Sequence, residues 1–301
     1  METRDLYYFE IIAELEHMGL AAQKVHRTQP ALSQCVQRLE CELDATLFER
    51  NGRGIKLTPM GEKLLEKARL MRRMNEESLT ELMDYAHGCR GHIRLGCPPT
   101  MAAYLMPQMV TEMLVEAPDM TMELFIGASD VLLRSLKDYE IDLLLTPLSH
   151  LGPGIEAIPV IEDNMVVAAS ANHPLFKKDY TVHDLEQYRW ILLKGAQYSR
   201  IWLTDTLGRL GCPPPRVQME VNIGVSYIKK VIHKTDLLCF FSVRNIEMGG
   251  NLLREVDLPE LLLRRQFKLA YRTDGYLSPI ANRFMSILQT RGSQLVESAQ
   301  E

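Results

Sequence analysis

Residues 21–65 read AAQKVHRTQPALSQCVQRLECELDATLFERNGRGIKLTPMGEKLL, and this stretch decides the fold of the N-terminal part of the chain. Its centre predicts a helix over 29–43, because Thr28 is a favourable N-cap residue and Pro30 is tolerated in a first helical turn. One face of that helix is apolar at helical spacing. The residues of this face are Leu32, Val36, Leu39 and Leu43.

A second, shorter helix is predicted just before it, over 20–26, with Gly19 at the cap position. A tight turn at Arg27 joins the two helices, and apolar residues at helical spacing over 5–16 predict a supporting helix upstream. Two helices joined by a very short turn and backed by a third are the arrangement of a helix-turn-helix.

A hairpin is predicted to follow the helix over 29–43. Its strands are 47–50 and 55–57, and we expect Gly52 and Gly54 to supply the positive φ angles of the loop between them. The helix over 29–43 is in the position of the recognition helix, and a hairpin beside it forms a wing.

A long helix is predicted from Thr58-Pro59 to about residue 86, with an apolar stripe that a small head domain cannot bury. We expect its first turns to pack on the head and the remainder to pair with a second chain.

The charge distribution favours nucleic acid as a partner of the N-terminal segment. The whole chain carries −5, but eleven basic and six acidic residues give +5 over 23–73. Side chains of the helix over 29–43, of its N-cap and of the wing are therefore the candidates for contacts with double-stranded DNA. They are Thr28, Gln29, Pro30, Ser33, Gln34, Gln37, Arg50, Arg53 and Lys56.

Beyond residue 91 short strands alternate with helices, which predicts α/β units with parallel strands. The length predicts two lobes, with the chain crossing near 161–165 and returning near 265–269. The predicted strands are 92–96, 121–126, 141–145, 165–169, 190–193, 217–221, 237–241 and 267–271. The predicted helices are 102–115, 130–139, 199–210 and 225–233.

Several short motifs at fixed spacing resemble the N-terminal signature of the LysR-type transcriptional regulators. They are Ala21-Ala22, Gln29-Pro30-Ala31-Leu32-Ser33, Arg38-Leu39-Glu40, Leu47-Phe48-Glu49-Arg50 and Leu57-Thr58-x-x-Gly61. A weaker resemblance continues through the chain. It implies an α/β protein overall, with a winged helix-turn-helix, a long linker helix and a two-lobed domain similar to periplasmic binding proteins. The expected boundaries are 1–58 for the DNA-binding domain, 59–89 for the linker and dimerisation helix, and 90–301 for the effector-binding domain. Lobe I is expected over about 90–162 and 268–301, and lobe II over about 163–267.

The resemblance also implies a homodimer through the linker helix, assembly into tetramers, and a small-molecule effector in the cleft between the lobes. The predicted effector is a small anion or carboxylate, held by hydroxyls, by a helix N-terminus after Pro99 and by the cation Arg200. The cleft residues implied are Pro99, Thr100, Met101, Ser129, Thr146, Tyr198, Ser199, Arg200, Asn222 and Ile223.

Other classes of protein are less consistent with the sequence. An enzyme is not expected, because no nucleophile elbow, phosphate-binding loop or His-Glu-x-x-His motif is present. No cofactor, metal site, membrane span or secretory signal is predicted, which indicates a cytoplasmic protein. Two alternatives stay open: a ligand-binding protein without operator binding, and a thiol-responsive regulator. The latter is disfavoured because only Cys212 lies near 197–212, where such regulators carry two cysteines.

Overall fold

The computed structural model describes residues 1–52, 54–87, 91–194, 198–221, 226–247 and 250–298. The chain forms two compact units, Met1–His87 and Gly88–Glu301. Among the described residues, no helix has the length and apolar character needed to cross a membrane.

The first unit contains the expected three helices, hairpin and long helix, so the predicted winged helix-turn-helix is confirmed. The two strands of the hairpin are antiparallel, with Phe48 opposite Leu57. The elements in chain order are α1 (Thr3–Leu15), α2 (Met18–Lys24), α3 (Gln29–Leu43), β1 (Phe48–Asn51), β2 (Gly54–Leu57) and α4 (Pro59–His87).

The start of α2 differs from the prediction. The helix begins at Met18 rather than Leu20, and its N-cap is His17 rather than Gly19. The Nδ1 atom of His17 accepts hydrogen bonds from the amides of Gly19 and Leu20, at 3.1 and 3.3 Å. Histidine thus satisfies the free N–H groups that a serine or threonine commonly caps.

Two turns of the first unit use residues other than those expected. The turn before α3 has its left-handed residue at His26, with φ 53°, rather than at Arg27. In the wing, Gly52 has a positive φ of 58°, but Gly54 does not. Gly54 serves close packing instead, because a Cβ there would lie 2.9 Å from the carbonyl oxygen of Glu16.

The core of the first unit is formed by α1, α3 and α4. Phe9, Leu39 and Leu64 are buried together in it. At the rim of this core, the guanidinium of Arg38 donates two hydrogen bonds to the buried carboxylate of Asp5, at 2.8 and 3.0 Å. This ion pair ties α3 to α1 and holds the pKa of Asp5 below its usual range.

The second unit is built around a mixed sheet whose described strands run in the order β4-β3-β5-β11-β6-β9-β7-β8, with β10 beside β6. The strands are β3 (His92–Cys97), β4 (Thr121–Ile126), β5 (Leu143–Thr146), β6 (Ile155–Ser170), β7 (Arg189–Leu193), β8 (Val217–Val221), β9 (Leu237–Ser242), β10 (Leu253–Glu255) and β11 (Leu263–Arg272). The helices are α5 (Pro99–Tyr104), α6 (Met106–Glu116), α7 (Ser129–Lys137), α8 (Tyr198–Arg209), α9 (Ser226–His233), α10 (Val243–Glu247) and α11 (Pro279–Ser298).

Some neighbouring strands within each lobe are parallel, as expected: β3 with β4 and β5, and β7 with β8 and β9. The pairs β5–β11, β6–β9 and β6–β10 are antiparallel. The expectation of parallel strands was wrong for β6 and β11. These two strands pair antiparallel with each other over ten residue pairs, from Leu263 opposite Met165 to Arg272 opposite Ile155. They carry the chain from lobe I to lobe II and back, close to the crossing points predicted from the sequence.

Two further elements depart from the expected pattern. The helix predicted over 102–115 is two helices, α5 and α6, which meet at Leu105. Pro107 is the second residue of α6, and proline is tolerated in a first helical turn because an amide there has no intrahelical acceptor. The C-terminal helix α11, which the strand-and-helix pattern did not include, buries Phe284 and Leu288 in the core of lobe I.

Gly61, in the first turn of α4, leaves the least room for a Cβ of the glycines described in the first unit. A Cβ at this position would lie 2.2 Å from the carbonyl oxygen of Leu47. We expect Gly61→Ala to lower the free energy of unfolding by about 1–2 kcal/mol, because the strain exceeds the gain in helix propensity. Urea unfolding followed by circular dichroism measures this. Gly208→Ala is the control, since a Cβ at this helical glycine meets nothing within 4 Å; an equal effect of the two substitutions would contradict the steric account.

Candidate functional site

The predicted recognition helix α3 presents a polar face to solvent. Its apolar side, including Leu32 and Leu39, is buried, whereas the N-terminal half of its other side is open. Thr28 occupies the N-cap position, as expected, but its side chain makes no capping hydrogen bond. Of the candidate residues on this helix, Ser33 is half-buried. The exposed candidates are Thr28, Gln29, Pro30, Gln34 and Gln37.

The wing offers fewer free cations than its sequence indicates. Arg50 is exposed, whereas the ammonium of Lys56 lies 2.8 Å from the carboxylate of Glu49 on the neighbouring strand. That contact raises the pKa of Lys56 above its usual range. Arg53 lies outside the described residues.

The basic excess over 23–73 is offset by acidic residues of α1 that lie outside that window. Glu10 is buried between Arg69 and Arg72, with Arg72 Nε 3.1 Å from its carboxylate, and Asp5 engages Arg38. Over residues 1–87 acidic side chains outnumber basic ones, fifteen to twelve. A uniformly basic surface is therefore absent, and attraction to a polyanion depends on a few local cations.

The second unit has a cavity of about 700 Å³ between its lobes, next to the point where β6 and β11 pass from one lobe to the other. Residues from both lobes and from the crossing strands line it. Five of the predicted effector residues are among them: Pro99, Thr100, Ser129, Tyr198 and Ser199. Asn222 and Ile223 lie outside the described residues.

Three predicted effector residues do not line the cavity. Met101 is fully buried in the core of lobe I. Thr146 is also fully buried, and its hydroxyl accepts a hydrogen bond from the amide of Leu148 at 3.2 Å. Arg200 is turned aside, because its Nη1 atom donates to the carboxylate of Glu220 at 2.5 Å. The expectation that Arg200 supplies the cation of the cleft is therefore corrected.

Two cations line the cavity, Lys194 and Arg265, and neither was among the residues predicted from the sequence. Arg265 is the more deeply placed of the two, since Lys194 is exposed. It stands directly opposite Asp163 in the β6–β11 pairing, and its Nε atom donates to that carboxylate at 2.6 Å. Ser242 donates to the other carboxylate oxygen at 2.5 Å. Asp163 is 1% exposed and Arg265 14%, so a charged pair lies in a largely buried place. Asp163 and Arg265 lie in the two segments where the sequence predicts that the chain passes between the lobes. An acidic and a basic residue at these positions were the sequence signal that could have identified the pair.

The guanidinium of Arg265 keeps donors available to a ligand. Only its Nε atom is engaged by Asp163, and its Nη atoms have no hydrogen-bond partner in the part of the chain that the structure describes. Because Asp163 already neutralises it, the pair is stable in the absence of a ligand and can still present N–H groups to an anion.

A hydrogen bond joins the two lobes beside the cavity. Asn245 of α10 donates to the hydroxyl of Thr100 on α5 at 3.2 Å, and both side chains are buried. The expected anion site at the N-terminus of the helix after Pro99 is weaker than predicted, since α5 is only six residues long. The longer helices α7 and α8 instead begin at the cavity, at Ser129 and Tyr198.

Most described thiols are poorly placed to act as redox sensors. Burial raises the pKa of Cys35 and of Cys97 to about 12, and raises that of Cys239 as well. Such thiols carry little thiolate at neutral pH and react slowly with oxidants. Cys41 is exposed, and Cys89 lies outside the described residues.

Comparisons with known proteins agree for both units. Residues 3–62 match the family model described as a bacterial regulatory helix-turn-helix protein of the lysR family, and residues 86–293 match the LysR substrate binding domain. The transcriptional dual regulator GltC of Bacillus subtilis is 32% identical over 304 residues, covering 100% of this chain and 95% of GltC.

Solved structures share the fold. Full-length CbnR in complex with its target DNA has a TM-score of 0.72 at 21% identity, covering 97% of this chain and 100% of that chain. A hydrogen peroxide-bound mutant of OxyR from Corynebacterium glutamicum has a TM-score of 0.58 at 26% identity, covering 99% and 96% of the two chains.

The two arginine–carboxylate pairs near the cavity should differ in their contribution to stability. Asp163→Ala leaves a largely buried guanidinium without its counter-ion, and we expect a loss of about 3–5 kcal/mol in the free energy of unfolding. Glu220→Ala is the matched control: Glu220 is 42% exposed, so water screens its pair with Arg200 and the loss should stay below about 1 kcal/mol. Urea unfolding monitored by tryptophan fluorescence compares them, and similar losses would refute the assigned difference.

Proposed function

Because the chain belongs to the LysR family of DNA-binding transcription regulators, we propose that it binds its operator through α3 and a small anion in the inter-lobe cavity. The observation that carries the effector proposal is Arg265, a largely buried arginine that lines the cavity with its Nη donors available. A carboxylate suits a guanidinium fork, because two parallel hydrogen bonds can form.

Contacts with DNA are proposed for the exposed polar face of α3. Gln29 and Gln34 can bridge the N6 and N7 atoms of an adenine, and Ser33 can contact a base or a phosphate. Arg50 on the wing is proposed to contact the DNA backbone, with Arg53 and Lys56 beside it in the sequence. Because acidic residues of α1 neutralise other cations of this unit, specificity should depend on base-edge contacts more than on overall charge.

The long helix α4 is proposed to be a linker and dimerisation helix over about 59–89, with pairs of dimers forming a tetramer. Leu64 and Ala68 are buried in the first unit, whereas the apolar side chains further along the helix are 41–64% exposed. These are Met71, Met74, Leu79, Leu82 and Met83. An apolar row of this kind on a helix is typical of a paired helix, and a dimer places two recognition helices on two half-sites.

The cavity supplies more than one kind of ligand contact. Its polar side includes the hydroxyls of Ser129 and Ser199, the amides at the start of α7 and α8, and the charged side chains of Asp130, Lys194 and Arg265. Apolar residues including Met165 and Phe240 form the remainder. We therefore propose an effector with a carboxylate at one end and an apolar body.

The effector is proposed to be bound rather than converted. No histidine or cysteine is among the described residues that line the cavity, so a nucleophile and a histidine base are not paired there. Binding at a junction of two lobes can change their relative orientation and so alter operator binding. A regulator of this kind acts in the cytoplasm, where the operator is.

Replacing Gln29 should reveal sequence-specific DNA binding. We expect Gln29→Ala to weaken binding to the cognate operator by about 1–3 kcal/mol and to leave binding to random DNA nearly unchanged. Arg50→Ala should instead weaken both and reduce the slope of log affinity against log salt by about one. Fluorescence anisotropy over a salt series measures the affinity of each variant for operator and for random DNA, and the salt slope. Gln266→Ala, an exposed glutamine of the other unit, serves as the control. Unchanged operator affinity in both test variants would exclude α3 and the wing as the DNA-contacting elements.

Replacing Arg265 should reveal the charge preference of the cavity. A thermal-shift screen with small carboxylates and their carboxamides identifies a ligand, because ligand binding stabilises the folded state by mass action. We expect Arg265→Lys to keep the pairing with Asp163 but to weaken carboxylate binding at least about tenfold, since the planar fork is lost.

Arg200→Lys is the matched control and should bind the carboxylate with unchanged affinity, because Arg200 is already held by Glu220. Calorimetric titration of both variants distinguishes the two arginines. Equal binding of carboxylate and carboxamide by the unmodified protein would show that the effector site does not select an anion.

A further inference from the structure

Three potential metal ligands lie together on lobe II, away from the residues that line the inter-lobe cavity. His183 and Glu186 belong to the 3-10 turn Val182–Gln187, and Cys212 lies in the segment between α8 and β8. The spacing of cysteine and histidine in the sequence predicts no metal site, because 25 residues or more separate Cys212 from the other two. The fold brings them together.

Two of the three distances within this cluster are close to those of a tetrahedral metal site. The Sγ atom of Cys212 is 3.4 Å from Nδ1 of His183, which is 3.2 Å from Oε1 of Glu186. All three atoms lie within 4.8 Å of one another. Zinc bonds of about 2.0–2.3 Å at tetrahedral angles place neighbouring ligand atoms about 3.3–3.6 Å apart. Two edges of the cluster already have about this length, so an ion can enter with small side-chain movements.

The chemistry of the three ligands selects one class of ion. Sulfur, imidazole nitrogen and a single carboxylate suit Zn²⁺ and related transition-metal dications, whereas Ca²⁺ and Mg²⁺ prefer sites made of oxygen atoms. Cys212 is buried, but the side chains of His183 and Glu186 are 61% and 38% exposed. An ion can therefore reach the cluster from solvent, and water can occupy the fourth position.

The backbone around the cluster is well held. Buried side chains of Val182 and Leu185 anchor the 3-10 turn, and the amide of Cys212 donates to the carbonyl of Leu207 at 2.9 Å. Three prolines, 213–215, follow Cys212 and restrict the backbone there. The guanidinium of Arg216 then hydrogen-bonds to the carbonyl of Glu186, which joins the two segments. A site held in this way loses little conformational freedom when an ion binds.

We propose that His183, Glu186 and Cys212 form a binding site for a transition-metal dication of the Zn²⁺ class, separate from the effector cavity. As the ion binds, the thiol of Cys212 releases its proton to solvent and its sulfur bonds to the metal as a thiolate. The ion then links the 3-10 turn to the segment that leads into β8, and it stabilises lobe II.

Titration of the full-length chain with Co²⁺ tests the proposal, because tetrahedral cobalt with a thiolate ligand has characteristic visible and near-ultraviolet absorption. We expect one ion per chain, thiolate-to-cobalt absorption, and displacement of the cobalt by Zn²⁺. Cys212→Ser should abolish the thiolate absorption. His183→Gln and Glu186→Gln, at exposed positions that should not disturb folding, should each weaken binding at least about tenfold.

Two cysteine controls separate this site from others. Cys41→Ser removes an exposed thiol of the first unit and should change neither stoichiometry nor spectrum. The proposal is overturned if the unmodified chain gives no thiolate absorption, or if the absorption survives in Cys212→Ser and disappears in Cys89→Ser. It is also overturned if His183→Gln and Glu186→Gln bind cobalt as tightly as the unmodified chain.

Discussion

The antiparallel pairing of β6 with β11 is the constraint on which the second unit depends. The two strands run side by side for ten residue pairs and belong to both lobes. Phe267 and Leu269 enter the core of lobe I, while Met165 and Leu263 enter a core of lobe II. Each lobe is thus completed by strands that continue into the other. The cavity lies where these strands pass from one lobe to the other, so paired backbone from both strands lies beneath it.

A charged pair at this crossing has a structural role beside the binding role proposed for it. Asp163 receives hydrogen bonds from Arg265 and Ser242, and this neutralises a guanidinium that would otherwise be costly to bury. The same arrangement orients the arginine toward the cavity. An anion bound there would contact a group whose position the backbone register already determines, which limits the entropy lost on binding.

The first unit depends on close backbone contacts and on a small number of buried ion pairs. Gly61 lets α4 approach the strand at Leu47, and Gly54 lets the wing approach the end of α1 at Glu16. Asp5 and Glu10 of α1 hold arginines of α3 and α4. The arginines in these contacts belong to the basic excess counted along the sequence, but their charges are paired with carboxylates of α1. The face of α3 proposed to contact DNA is consequently polar, with Gln29, Gln34 and Gln37 exposed on it.

The sequence by itself determined the helix-turn-helix and wing, the parallel strands of the second unit and the existence of two lobes, because helical spacing, caps and strand patterns are local properties of the chain. It also indicated five of the residues that line the cavity. Which arginine faces that cavity was decided only by the tertiary structure. Neither Arg200 nor Arg265 has an acidic residue within four positions along the sequence, yet the fold places Glu220 beside the first and Asp163 beside the second. The proximity of Cys212 to His183 arises in the same way. Contacts between residues far apart in the chain depend on strand register and packing, which no local pattern contains.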